Sequence, residues 1–157
     1  MKIYLDTSVI LAIVNPDEPF FVASKRFISR SNSGKHSLIV GLPFFIEFGR
    51  LTQKRGTDRA IQIIEAMEES NVKLEILEIN NIWKLASSYE KAGVLSRSSM
   101  FDLLHYASAS LSHCNCIVSW DITHFNERRA KIGNEINIKV GLPELIIGTP
   151  SEVISDL

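Results

Sequence analysis

Short β-branched runs alternate with helical stripes along most of the chain, and this alternation sets the first expectation of its fold. Lys2 to Leu5 reads as a strand and Ser8 to Val14 as the helix that follows it. Phe20 to Arg30 is a second helical segment, and Ser37 to Val40 a short connecting strand. Pro43 stands where a first helical turn tolerates a residue without an N–H, opening a helix that runs to about Lys54 and ends at Gly56. Thr57 and Asp58 start the next helix, with Ala60, Ile63, Ile64 and Met67 on one face. Lys73 to Ile79 alternates as a strand does. Asn80 or Asn81 then caps a helix whose Ile82, Leu85, Ala86 and Tyr89 form one stripe, ended by Gly93. Phe101 to Ser112 is a further helix, Cys116 to Trp120 a short buried strand and Leu145 to Ile147 a last one. Pro150-Ser151-Glu152 opens a terminal helix. With no repeat and no linker, this predicts one α/β domain over 1–157, a central, mostly parallel sheet flanked by helices on both faces.

Composition supports a packed domain. At 157 residues, with 45% hydrophobic and 22% charged residues, the chain has the make-up of a soluble globular protein. Its apolar stretches, Val9 to Val14 and Leu38 to Ile46, are far shorter than the roughly 18 residues a membrane span needs. The start, Met1-Lys2-Ile3-Tyr4-Leu5-Asp6, has no apolar signal region, so a cytoplasmic location away from membranes is expected. The formal charge is −1 and the pI near 6.4, which excludes a bulk electrostatic nucleic-acid binder and leaves only local contacts. Cys114 and Cys116 lack the four-ligand set of a zinc site and read as buried thiols along one strand.

In a parallel α/β sheet, ligands bind beyond the carboxyl ends of the strands. Asp6 directly follows the first strand and Asp121 the strand ending Ile117-Val118-Ser119-Trp120, so both point into one crevice if those strands are neighbours. On position alone, helix capping explains each of them more simply than chemistry. Glu47 is different. At about 100° per residue it falls close to Phe44 and Leu51 around its helix, and a carboxylate in an apolar stripe must find a partner. Arg50, at i+3, offers a surface ion pair as the rival reading. Asp102 opens its helix, where the dipole favours an acid. His105 reads as a satisfied interior residue, or as a group orienting Asp102. His124 reads as a loop residue without a catalytic role.

Other chemistries are missing. There is no Gly-x-x-x-x-Gly-Lys-Ser/Thr loop, no Gly-x-Gly-x-x-Gly turn and no Gly-x-Ser-x-Gly elbow. A phosphatase with Asp6 as nucleophile needs an acid two residues on, and Ser8 stands there. Basic groups gather as Lys25, Arg26 and Arg30, as Arg50, Lys54 and Arg55, and as Arg128, Arg129 and Lys131. Any one such cluster ordinarily solvates a helix face.

These residues together carry a resemblance. Leu5-Asp6-Thr7-Ser8-Val9-Ile10-Leu11, then Glu47, then Asp102-Leu103-Leu104-His105-Tyr106-Ala107, then Val118-Ser119-Trp120-Asp121 follow the order of PIN-domain ribonucleases. Asn137 and the segment from Ile147 to Ile154 extend the likeness, which is strongest to VapC-type toxins of toxin–antitoxin systems. The resemblance implies a metal site with Asp6 and Asp102 as principal ligands, Glu47 between them and Asp121 as fourth acid, supported by Ser119 and Thr7. It departs from the family where Ile122-Thr123-His124-Phe125 lacks the frequent second acid.

The resemblance further implies Mg²⁺, replaceable by Mn²⁺, an RNA substrate, a cognate antitoxin and a homodimer. The expected activity is endoribonucleolytic hydrolysis of phosphodiesters. Carboxylates crowded in one crevice repel, and a divalent ion bound through oxygen relieves them, which accords with that implication. The alternative expectation is a catalytically inactive PIN-like module that binds RNA or protein.

Overall fold

Strands apolar on both faces have to be covered on both sides, and the short runs of this chain meet that demand. The computed structural model describes residues 1–156. Five strands, β1 (Lys2–Leu5), β2 (Ser37–Gly41), β3 (Val72–Glu75), β4 (Cys116–Val118) and β5 (Ile146–Gly148), pair in parallel in the order β3-β2-β1-β4-β5. Between them run α1 (Thr7–Val14), α2 (Phe21–Ser33), α3 (Leu42–Arg55), α4 (Thr57–Glu69), α5 (Ile79–Ala92), α6 (Met100–Leu111) and α7 (Glu127–Lys139), with a short α8 (Pro150–Val153) after β5.

Strand alternation divides the interior into two cores. Ile3 and Leu5 of β1, Leu38 and Val40 of β2 and Cys116 and Val118 of β4 face Val9 and Ile13 of α1, Phe27 of α2 and Ile63 of α4. Tyr4, Ile39 and Ile117, one residue out of phase, face Leu85 and Tyr89 of α5 and Leu103 and Tyr106 of α6. Slipping any of these strands by one residue would exchange its two faces. No helix among the described residues is long and apolar enough to cross a membrane.

The fold thus matches the expected α/β sandwich, with corrections at element edges. β3 ends at Glu75, four residues before Ile79, because its partner β2 ends at Gly41, opposite Glu75. Glu78, not Asn80 or Asn81, is the N-cap of α5. β4 stops at Val118, since the Trp120 and Asp121 N–H groups bond to the Ser8 and Ser119 hydroxyls instead of a strand. Ile64 is exposed, and Ile63 and Ala66 form the buried face of α4. Cys114 precedes β4, and both thiols are buried, which pushes each up to about 12. α7 has no counterpart in the sequence expectation: its fully buried positions are Ala130, Gly133 and Asn137, small or polar, and only Ile132 and Ile136, half-buried, add apolar contact with the core.

The order of the strands creates the site. The chain builds β1, β2 and β3 outward in one direction and then returns to lay β4 on the other side of β1. That reversal opens a crevice at the carboxyl ends of β1 and β4, the position at which such sheets take ligands.

Candidate active site

β1 and β4 end in register, Leu5 opposite Val118, and the Asp6 N–H donates to the Val118 carbonyl at 3.0 Å. Asp6 caps α1 as expected, its Oδ2 accepting from the Ser8 N–H at 3.2 Å. The same oxygen accepts the Ser8 hydroxyl at 2.6 Å and the Ser119 hydroxyl at 2.9 Å. Ser8 Oγ in turn accepts from the Trp120 N–H and Ser119 Oγ from the Asp121 N–H, both at 3.0 Å. Two hydroxyls therefore tie the loop after β4 to the acid after β1. Oδ1 of Asp6 takes no part and faces His105 Nε2 at 3.8 Å.

Glu47, on α3, bonds to Thr7 and to His105 rather than to Arg50. The Thr7 hydroxyl donates to Glu47 Oε2, and His105 Nε2 lies 3.2 Å from the same oxygen. His105 is fully buried on α6, and its Nδ1 meets the Tyr4 hydroxyl at 2.9 Å. That hydroxyl donates to a neutral ring and accepts from a charged one, so both nitrogens are satisfied in either state. Burial disfavours charge on His105, but Glu47, Asp6 and Asp102 outweigh it and raise its pKa above the usual value. Burial likewise pushes Glu47 up, yet the hydrogen bond and charge of His105, with Thr7, hold it below the ordinary carboxylate value. Arg50 instead stacks on Phe101, 4.4 Å from its ring centroid.

Asp102, Asp121 and His124 form a second cluster, with one ligand atom from each lying within 4.8 Å of the others. His124 Nδ1 is 2.9 Å from Asp121 Oδ2 and 3.3 Å from Asp102 Oδ2. Asp121 also caps its own turn, Oδ1 accepting from the Thr123 and His124 N–H groups at 3.0 and 3.2 Å. Asp102 caps nothing. Burial above all, with the charges of Asp6 and Asp121, pushes it up to about 6 against the pull of His124 and His105.

An acidic crevice framed by β1, α3, α6 and the loop after β4 agrees with the sequence comparison, in which the chain matches the PIN domain over residues 3–131. The chain belongs to the PIN domain family. In structure it is similar to VapBC2 from Rickettsia felis, solved bound to a DNA fragment from their promoter, with 13% identity and a TM-score of 0.61 over 95% of this chain and 98% of that one. It is also similar to VapC20 of Mycobacterium tuberculosis, a sarcin-ricin loop cleaving toxin, with 15% identity and a TM-score of 0.56 over 77% of this chain and 92% of that one. At such identities the likeness is one of fold. No curated protein sequence matches the chain.

Within this PIN domain the four acids singled out by sequence line one crevice, in two subsets. Asp102 and Asp121 gather on His124, while Asp6 and Glu47 lie outside that group and flank His105. Ser119 joins the subsets by bonding Asp6 and the Asp121 backbone, and Thr7 holds Glu47. Sequence reasoning missed Ser8, gave His124 no catalytic role, and read His105 as an interior residue or as a group orienting Asp102, whereas its ring meets Glu47. Their signals were local: Asp102 and His105 share a helix face at i+3, His124 follows Asp121 by three, and Ser8 follows the capping Asp6 by two.

Proposed function

We propose that this PIN domain is a divalent-metal-dependent endoribonuclease, its whole length of 157 residues one nuclease unit. In this reading it is a cytoplasmic, homodimeric toxin of the VapC kind, silenced by a cognate antitoxin. The observation that carries the reading is the gathering of four carboxylates at one sheet mouth, where Asp102 stays under strain despite two neighbouring imidazoles. Asp102 is driven up to about 6 by burial and by Asp6 and Asp121, a conflict that a divalent cation removes. The donor set fits such an ion: carboxylate oxygens of Asp102 and Asp121 and an imidazole at His124, with Asp6 Oδ1, which takes no hydrogen bond from its capping partners, nearby. Mg²⁺ favours the oxygens, and Mn²⁺ accepts the nitrogen as well.

Asp6, Glu47, Asp102 and Asp121 are assigned as the catalytic acids. When bound, a divalent cation supplies positive charge that acidifies the attacking water and steadies the leaving oxygen. Water adds to phosphorus and loses a proton, while the bond from phosphorus to one ribose oxygen breaks and that oxygen gains one. Glu47 is kept ionised by His105 and fixed by Thr7, so it orients water without a rotamer search. Ser8 and Ser119 aim Asp6, and Ser119 also fixes the backbone that carries Asp121. The likeness in fold to VapC20, a sarcin-ricin loop cleaving toxin, and to VapBC2 supports the same class for this chain.

RNA cleavage by the wild-type chain, Asp6→Asn and Asp102→Asn, with and without Mg²⁺ or Mn²⁺, tests the reading. Cleavage by the wild type alone, abolished by chelation and lowered at least a hundredfold by either substitution, is the expected result. Equal cleavage by all three proteins, or cleavage that survives chelation, overturns it. RNA binding without metal-dependent turnover makes the chain the inactive module instead.

A further inference from the structure

The cleft beside the acids carries features that the cleavage chemistry does not use. It encloses about 420 Å³, and Ser8 and Asp121 belong both to its wall and to the acidic site, so the two are continuous. On the same wall stand Arg55, which ends α3, and Arg59, in the first turn of α4. Neither guanidinium meets a carboxylate among the described residues. Arg59 Nη1 donates to Gln62 at 3.1 Å, and Glu18, the cleft's other acid, pairs with neither. Phe20 stacks flat on Trp120 in this wall, with ring centroids 4.2 Å apart and planes 13° from parallel. The Trp120 indole N–H donates to the buried Ser24 hydroxyl at 2.8 Å, which anchors the pair from behind. Phe20 itself is 42% exposed.

Unpaired guanidiniums bind phosphate, and an anchored aromatic pair open on one side is a platform for a third flat ring. Single-stranded polynucleotide is the ligand that offers both at neighbouring positions. An apolar protein segment would leave two guanidiniums unmatched, and an acidic one would have no use for the ring face. We infer that this cleft is a nucleotide subsite for the RNA strand, in which Arg55 and Arg59 take the phosphate beside the scissile one and a base stacks on Phe20. The inference rests on the ribonuclease reading. It also selects, from the three basic clusters of the sequence, the one that adjoins the acids, and adds Arg59 to it.

Binding of a short single-stranded RNA to the Asp102→Asn protein, followed across a salt series, tests the subsite without cleavage. Adding Arg55→Gln and Arg59→Gln together should weaken binding about tenfold or more at low salt. It should also flatten the slope of log K against log salt by about 0.7, since one phosphate on a single strand loses its neutralising contacts. Phe20→Leu, which keeps apolar cover on Trp120, should weaken binding roughly tenfold and leave the salt slope unchanged. Circular dichroism melts establish that each variant is folded. Parent-like affinity and slope in both variants overturn the inference, and so does failure of the Asp102→Asn parent to bind RNA. If the wild type cleaves no RNA yet the variants show the expected losses, the nuclease reading fails and the subsite stands. If the wild type cleaves and the variants bind as the parent does, the converse holds.

Discussion

Two imidazoles organise the acids of this PIN domain, and each does so differently. His105 is buried and satisfied at both nitrogens, so it holds Glu47 rigidly. Its folded pKa is raised, so the charged ring contributes stability that is complete below about 6.5 and lost as pH rises through the folded value. Glu47→Gln removes its hydrogen-bonded carboxylate. NMR titration should therefore place the His105 midpoint above 6.5 in the wild type and lower in that variant; identical midpoints would contradict the assignment. Asp102 has the opposite effect from a well-paired acid. Because its carboxyl is pushed up to about 6, the metal-free fold loses stability as pH climbs from about 4 to about 6. Asp102→Asn removes that penalty. In chelator at pH 7.5 the variant should melt above the wild type, by roughly 2–4 °C per kcal/mol recovered, while losing cleavage. A lower melting temperature would show Asp102 to be a structural residue.

At the scale of elements, the junction of β2 and α3 sets the depth of the site. A Cβ at Gly41 would come within 2.8 Å of the Tyr4 hydroxyl and 3.1 Å of Ser108 Cβ, so only glycine lets Tyr4 reach His105 there. Gly41→Ala is expected to cost about 1–3 kcal/mol by overpacking and to weaken cleavage by shifting His105. Tyr4→Phe leaves a buried imidazole nitrogen unpaired at a similar cost of about 1–3 kcal/mol. In the double variant the hydroxyl that the new methyl strikes is gone, so urea unfolding should find the two costs clearly less than additive. Simple additivity would separate Gly41 from the site.

The same scale explains what could be read in advance. The three central strands are legible because they are packed on both faces, and Ile3, Tyr4 and Leu5 take opposite cores in turn. Strand ends were not, since the end of β2 limits β3 and the Ser8 and Ser119 hydroxyls draw Trp120 and Asp121 out of β4. α7 is hard to read because its fully buried positions, Ala130, Gly133 and Asn137, are small or polar, and its core-packing Ile132 and Ile136 stand among Arg, Lys, Asn and Glu. The acids themselves could be picked out by order and context. Thr7 and Ser119 came with the family resemblance as supporting residues, but which acid each holds could not be read, because Thr7 meets Glu47 across 40 residues and Ser119 meets Asp6 across 113, separations that no local pattern spans.

For the whole molecule, the formal charge of −1 hides its distribution. Four of the acids stand at one mouth of the sheet, and two unpaired arginines line the cleft that leads from it. Under the proposed function, one bound divalent ion would add its two charges and take the formal charge from −1 to +1, and the species meeting RNA would differ in sign from the bare chain. Ion binding should also raise the melting temperature, by about 2.7 kcal/mol of stabilisation at a hundredfold excess over Kd. The most direct test is a crystal structure grown with Mn²⁺ at a concentration that supports cleavage, with the ion located by its anomalous scattering. The expected result is a peak bounded by Asp102 and Asp121, with Asp6 turned toward it. A crevice without a peak, or a peak away from these acids, would contradict a metal-dependent nuclease built on them.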